Sequence, residues 1–85
     1  MAAVTIYTRA FCPYCSRAIK LLKKKGAQFN EIKAGMDAAK REEMTRRSGG
    51  GRTFPQILIG DVPIGGCDEL HALESEGKLD AMLAG

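Results

Sequence analysis

Two cysteines separated by two residues lie near the start of the chain, in the segment Cys12-Pro13-Tyr14-Cys15. Residues 4–7, Val-Thr-Ile-Tyr, are β-branched or aromatic and predict a short strand before the segment. Apolar residues recur after Cys15 at helical spacing, so a helix should begin at the segment itself, with Pro13 in its first turn. A thiol at a helix start faces unpaired backbone N–H groups and the positive end of the helix dipole, which favour the reactive thiolate. Because Cys15 follows one turn later, the sequence predicts a thiol–disulfide exchange site.

The same two cysteines are also compatible with a structural zinc site, which needs four sulfur or nitrogen ligands. Cys67 and His71 lie four residues apart on a predicted helix and complete a Cys3His set with Cys12 and Cys15. A further interpretation treats the pair as ordinary buried cysteines, since free cysteine is often buried. The strand-to-helix setting of the pair favours redox chemistry over both interpretations. No metal is therefore expected.

Length, charge and cysteine content narrow the class of protein. The chain has 85 residues, which predicts a single domain over residues 1–85. Its three cysteines are too few for a disulfide-stapled secreted fold, and a net charge of +3 is too small to indicate nucleic-acid binding. The sequence shows neither a signal peptide nor an apolar run of the ~20 residues that span a bilayer. We therefore expect a cytoplasmic protein that binds neither nucleic acid nor membrane.

The rest of the chain alternates between strand and helix patterns. Strands are expected at residues 4–7, 28–32, 56–59 and 62–64. The first helix should run from Pro13 until Gly26 ends it. Further helices are expected at residues 37–47 and 67–74, with a last short helical turn at 79–83. The order β-α-β-α-β-β-α has an early crossover and a late hairpin. It predicts an α/β fold with a four-stranded mixed sheet and helices on both faces.

The second predicted helix is the most charged segment of the chain. Its acidic and basic residues form three pairs four positions apart: Asp37/Arg41, Glu42/Arg46 and Glu43/Arg47. Pairs in this order stabilise a helix by about 0.2–0.5 kcal/mol each. The pattern predicts an exposed helix with little apolar face.

Three motifs in this order resemble the glutaredoxin family, in particular its short bacterial dithiol class. They are Cys12-Pro13-Tyr14-Cys15, Thr53-Phe54-Pro55-Gln56-Ile57 and Gly65-Gly66-Cys67-Asp68-Glu69-Leu70. The resemblance extends over essentially the whole chain, and Pro-Tyr between the cysteines points to glutaredoxin over thioredoxin. It implies a thioredoxin-like fold with a cis peptide before Pro55, placed opposite the active-site thiols.

The resemblance also implies that glutathione, an extended tripeptide with a carboxylate at each end, is the co-substrate. The residues expected to bind it are Arg9, Tyr14, Arg52, Thr53, Phe54, Pro55, Gly66, Cys67 and Asp68. The backbone of Phe54, where the family more often has Val, would pair with the cysteinyl part. The helix start at Gly66 and Cys67 would bind the γ-glutamyl carboxylate. Asp68 would face the ammonium group, and Arg9 the glycyl carboxylate.

The activity implied by the resemblance is glutathione-dependent reduction of disulfides. Cys12 is the expected nucleophile and acts alone on protein–glutathione mixed disulfides, whereas protein disulfides also need Cys15 as the resolving thiol. Pro13 and Tyr14 complete the catalytic motif. The expected partners of a monomeric enzyme are glutathionylated proteins and protein disulfides, ribonucleotide reductase among them. Some glutaredoxins instead carry an iron–sulfur cluster between two chains, but these relatives usually have Gly or Ser at the position of Pro13.

Overall fold

The computed structural model of the chain describes residues 2–85, which form four strands and four helices. The strands are β1 (Val4–Thr8), β2 (Phe29–Lys33), β3 (Gln56–Ile59) and β4 (Val62–Gly65), and the helices are α1 (Pro13–Lys24), α2 (Ala38–Arg47), α3 (Cys67–Ser75) and α4 (Leu79–Ala84). The predicted α/β fold is confirmed, and most element ends differ from the prediction by about one residue, as is usual at helix and strand termini. Among residues 2–85, no helix has the length and apolar character needed to cross a membrane.

The four strands form one mixed sheet in the order β2-β1-β3-β4. Strand β1 pairs in parallel with β2, and antiparallel pairing joins β1 to β3 and β3 to β4. The parallel pair requires a crossover, which α1 provides. Pro63, which cannot donate to a strand ladder, lies in the edge strand β4.

Alternate residues of the two central strands point to opposite faces of the sheet. One face carries the larger core, in which Val4, Ile6, Ile57 and Ile59 pack with buried residues of α1, α3 and α4. The other face carries a smaller cluster, defined here as the second core cluster: Tyr7, Ala34, Met44 and Leu58, with Ile32 and Phe54 packed against it. Helices therefore cover both faces, with α2 covering the second.

Helix α2 is attached to the sheet more closely than its charged sequence predicted. Met44 is 1% exposed within the second core cluster, so the helix does have a buried apolar contact. Glu43 accepts a hydrogen bond from the Tyr7 hydroxyl at 2.5 Å, and Arg47 donates one to the same oxygen at 2.9 Å. Asp37 caps the helix by accepting from the Lys40 amide at 3.0 Å.

Met44 is the one buried residue of α2, so the predicted exposed helix with little apolar face is confirmed, but the ion pairs expected from the charge pattern do not form in the helix that the structure describes. Within residues 2–85, the ion pairs join Lys25 to Glu74 and Asp80, and Lys78 to Glu76, and none joins the acidic and basic residues of α2. Three of these charged side chains make other bonds instead. Glu43 and Arg47 bond to the Tyr7 hydroxyl, and Asp37 accepts from an amide at the helix start. Spacing along the helix could not reveal these partners, because Tyr7 lies 36 and 40 residues away from them.

Candidate active site

Cys12 is the residue that caps the start of α1. Its backbone is extended, and its Sγ accepts a hydrogen bond from the Cys15 amide at 3.2 Å. Pro13 is the first helical residue, where its missing N–H leaves no bond unmade. The loop of residues 9–11 separates β1 from Cys12, so the nucleophile follows the strand less directly than the sequence suggested. The predicted position of the thiol at a helix start is confirmed.

Cys15 follows Cys12 by one helical turn, and its thiol is buried. All three cysteines of the chain are free thiols, and Cys15 is 4% exposed. Burial, followed by the hydrogen bond with the Cys12 thiol, raises the pKa of Cys15 to about 12, with a smaller lowering effect from the Arg9 backbone amide. Cys15 is therefore a neutral thiol at neutral pH.

A shallow groove of about 160 Å³ lies beside the cysteine pair, between the loop before β3 and the start of α3. Its lining residues are Tyr14, Thr53, Phe54, Pro55, Gly66, Cys67, Asp68 and Glu69. The Phe54–Pro55 peptide is cis, as the family resemblance implied. The Cys12 thiol lies 3.9 Å from the Phe54 carbonyl oxygen, which places the nucleophile against this loop. The groove thus brings together all the predicted glutathione contacts except Arg9 and Arg52.

The start of α3 forms one end of this groove. The Gly66 amide donates to Glu69 Oε1 at 2.7 Å, so that amide is already satisfied. The amides of Cys67 and Asp68, in the first turn, have no acceptor within the helix. They remain as the donors that an anionic group could use. Gly65 is required here, because its φ is +109° and a Cβ would lie 2.7 Å from Glu69 Oε1.

Glu69 is a groove residue that the sequence interpretation did not single out. It lies three residues after Gly66, the position from which a carboxylate reaches back to the amide at a helix start. That spacing was visible in the sequence and could have identified the residue.

Two predicted glutathione contacts lie outside the groove. Arg9 lines an adjoining concavity of about 470 Å³ that also includes Cys12, so it remains beside the nucleophile. Arg52 lies with Arg41 and Arg46 around a concavity of about 670 Å³ next to α2. The structure therefore places Arg9, but not Arg52, next to the reacting sulfur.

The residues of the alternative zinc site do not come together. Within residues 2–85, no three or more His, Cys, Asp and Glu side chains are grouped so that they could hold a metal ion. Cys67 packs into the larger core, and burial is the main cause that raises the pKa of its thiol. His71 has a buried Nε2 with no hydrogen-bond partner in the described part of the chain.

Cys12 at a helix start, a buried resolving thiol and a cis-proline loop, all on a four-stranded mixed sheet, define a thiol–disulfide oxidoreductase with a thioredoxin-like fold. The family model described as Glutaredoxin matches residues 4–64. The chain is 54% identical over 83 residues to glutaredoxin 3 of Escherichia coli, a match that covers 98% of this chain and 99% of that protein. This chain therefore belongs to the glutaredoxin family, whose members are glutathione-dependent thiol oxidoreductases, and the resemblance seen in its motifs is confirmed.

Solved structures agree with this assignment. The solution structure of glutaredoxin from Brucella melitensis is 60% identical and superposes with a TM-score of 0.84, covering 98% of this chain and 89% of that one. The crystal structure of a buckwheat glutaredoxin–glutathione complex is 32% identical with a TM-score of 0.84, covering 95% of this chain and 76% of that one. The fold and the enzyme class are thus shared across bacterial and plant glutaredoxins.

Proposed function

We propose that this chain reduces protein–glutathione mixed disulfides through Cys12 alone, and protein disulfides through Cys12 together with Cys15. The observation that carries the proposal is the position of Cys12, which caps the start of α1 and lies 3.9 Å from the Phe54 carbonyl oxygen. Cys12 stands at the helix start beside the groove, whereas Cys15 is held protonated by burial. Because the neutral Cys15 thiol is a poor nucleophile, we expect an external glutathione thiol to complete the reaction that Cys12 begins.

In the first route, the Cys12 thiolate attacks the glutathionyl sulfur of the mixed disulfide. The bond between that sulfur and the protein sulfur breaks, and the protein leaves as a thiolate that takes up a proton from water. Cys12 is then joined to glutathione. A second glutathione, as its thiolate, attacks the glutathionyl sulfur, which releases the Cys12 thiolate and forms oxidised glutathione. Each cycle oxidises one glutathione thiol and reduces one protein sulfur, so the mixed disulfide is exchanged for oxidised glutathione.

In the second route, the Cys12 thiolate attacks one sulfur of a protein disulfide and forms a mixed disulfide with it. The protein S–S bond breaks, and its other sulfur leaves as a thiolate that takes up a proton from water. Cys15 then loses its proton to water and attacks Cys12, which releases the protein thiol and leaves a Cys12–Cys15 disulfide. Two molecules of glutathione reduce that disulfide. Burial, the largest cause that raises the pKa of Cys15, leaves little of its thiolate at neutral pH and slows this resolving step. We therefore expect the first route to dominate when glutathione is abundant.

Glutathione is proposed to lie along the groove, as the complex of the buckwheat relative supports. Thr53, Phe54 and Pro55 would pair with the cysteinyl part and bring its sulfur to Cys12. The amides of Cys67 and Asp68 would bind the γ-glutamyl carboxylate, and the Asp68 carboxylate would bind the ammonium. Tyr14 forms a wall of the groove.

The glycyl end of the tripeptide would extend beyond the groove. There it would meet Arg9, whose guanidinium can hold a carboxylate with two hydrogen bonds. Gly66 contributes by allowing close approach of the ligand, since its own amide is bonded to Glu69. Arg52 would contact the ligand only if the ligand extends to the α2 side of the loop before β3.

The proposed setting follows from the chemistry. Reduction of disulfides by glutathione needs a reduced glutathione pool, which favours the cytoplasm. We propose a single-domain enzyme of residues 1–85 that acts as a monomer, since every step uses residues of one chain. Its partners would be glutathionylated proteins and protein disulfides, for which ribonucleotide reductase is a candidate. We expect no resident metal and no nucleic-acid ligand.

Purified Cys12→Ser and Cys15→Ser variants test the assignment of the two thiols. Each is assayed with glutathione and a coupled reductase on a glutathionylated protein and, separately, on a protein disulfide. Cys12→Ser should lose both activities, because a serine hydroxyl is not ionised near neutral pH. Cys15→Ser should keep the first activity and lose most of the second. Ser75→Ala, at an exposed position at the end of α3, serves as the control and should keep both.

Two outcomes would contradict the proposal. If folded Cys15→Ser loses deglutathionylation, Cys12 does not act alone. If Cys12→Ser retains activity, the nucleophile lies elsewhere in the chain.

A further inference from the structure

The residue just before the nucleophile has an unusual position. Phe11 is 98% exposed, and it is the one non-glycine residue of the described chain with a positive φ, +56°. An aromatic side chain gains stability by burial, and a bulky residue in the left-handed region is strained. Contacts within the chain account for neither feature. A strained, exposed residue beside an active site points to a role in function.

A second fully exposed apolar residue lies nearby. Met36 is 100% exposed and belongs to the loop between β2 and α2. This loop is held against residues 9–11: the Ala34 amide donates to the Thr8 carbonyl at 2.8 Å, and a Cβ on Gly35 would lie 2.6 Å from the Arg9 Cβ. The two exposed side chains are therefore carried by loops that pack closely on each other.

The concavities on either side of Arg9 join these two residues into one surface. The one that contains Phe11 and Cys12 shares Thr8, Arg9 and Glu31 with the one that contains Met36. We call this continuous area the Phe11–Met36 surface. It shares no lining residue with the glutathione groove, and Arg9, the proposed contact of the glycyl carboxylate, is the residue at which bound glutathione would meet this surface.

The charges of this surface are balanced. Arg9 and Lys33 are opposed by Glu31 and Asp37, and the Thr8 hydroxyl donates to Glu31 at 2.7 Å. A strongly acidic or basic partner would thus gain little from net charge here. The features left to give binding energy are the two exposed apolar side chains, and aromatic residues are typical anchors of protein interfaces.

We propose that Phe11, assisted by Met36, binds an apolar side chain of the protein half of the mixed disulfide, close to its glutathionylated cysteine. This inference rests on the proposed function and names the part of the site that recognises the protein. When glutathione fills its groove, the protein attached to it must lie over the remaining surface around Cys12. The Phe11–Met36 surface is continuous with Cys12 and carries the exposed apolar contacts that such a polypeptide would cover.

The test compares two substrates for each variant: glutathionylated serum albumin and the small mixed disulfide of cysteine and glutathione. The ratio of kcat/KM for the protein substrate to that for the small one isolates contacts with the protein half. Phe11→Ala should lower this ratio about tenfold, equivalent to 1.4 kcal/mol. Phe11→Leu should restore most of it, and Met36→Ala should lower it less. Val62→Ala is the matched control, because Val62 is 54% exposed on the edge strand β4, away from Cys12.

An unchanged ratio in folded Phe11→Ala would overturn the inference, as would a loss of equal size on both substrates. A ratio lowered to the same extent by Val62→Ala would also overturn it. The inference also fails if the ratio is unchanged and sedimentation shows a wild-type dimer that Phe11→Ala abolishes. In that case Phe11 contacts a second copy of this chain. If the wild type reduces neither substrate, the proposed function itself fails, and that result is distinct from a change in the ratio. Thermal unfolding confirms folding of each variant.

Discussion

The hydroxyl of Tyr7 joins helix α2 to the sheet, and its removal tests what holds that helix in place. The ring is fully buried at the end of β1, and the hydroxyl donates to Glu43 and accepts from Arg47. Burial is the main cause that raises the pKa of Tyr7, so the phenol is neutral and can donate at neutral pH. Tyr7→Phe removes both hydrogen bonds and leaves the ring in the second core cluster.

The expected loss follows from the partners. A hydrogen bond to a charged group contributes about 1.5–3 kcal/mol. Glu43 and Arg47 are only partly buried, so water can replace the lost bonds, and the two side chains can pair with each other for about 0.2–0.5 kcal/mol. We therefore expect Tyr7→Phe to lower the free energy of unfolding by about 1–2 kcal/mol, less than the simple sum. For a domain of this size, that corresponds to a fall in Tm of about 4–16 °C.

Urea and thermal unfolding, followed by circular dichroism, measure this change. Tyr14→Phe is the matched control: its hydroxyl is on a residue that is 53% exposed, so its removal should change the free energy by less than about 0.5 kcal/mol. Adding Glu43→Gln to Tyr7→Phe completes a double-mutant cycle that measures the coupling of the pair. If Tyr7→Phe unfolds within about 0.5 kcal/mol of the wild type, the hydroxyl does not hold α2, and the reasoning is refuted.

Other variants test the groove, the resolving thiol and the second core cluster. Asp68→Ala should raise the KM for glutathione about tenfold, or 1.4 kcal/mol, while Arg52→Ala, outside the groove, should change it little; equal effects would place the ligand elsewhere. In a Cys12→Ser background, alkylation of Cys15 by iodoacetamide should stay slow through pH 9, because burial, the largest cause of its raised pKa, remains in this variant; a plateau below pH 9 would contradict the effect of burial. Met44→Ala should lower the free energy of unfolding by about 2–5 kcal/mol, measured in urea, and a change below 1 kcal/mol would mean that the cavity closes.

Features encoded within a few residues were predicted from the sequence. The strands and helices follow from the spacing of apolar residues and from local stop signals such as Gly26, and the cap at Cys12 follows from Pro13 in the first turn. These depend on interactions between residues less than about one helical turn apart, so the order of residues alone specifies them. The resemblance of the motifs to the family also predicted the cis peptide at Pro55 and the position of Asp68 in the groove.

Features that depend on distant partners were decided by the tertiary structure. The Tyr7 hydroxyl meets side chains 36 and 40 residues away, which replaced the ion pairs expected along α2. Arg52 follows the path of the loop towards α2 and leaves the groove, although it directly precedes two groove residues. The exposure of Phe11 likewise depends on what the surrounding fold leaves uncovered. Local spacing carries no information on these contacts, because they form only when the packing of the sheet and helices brings separate segments together.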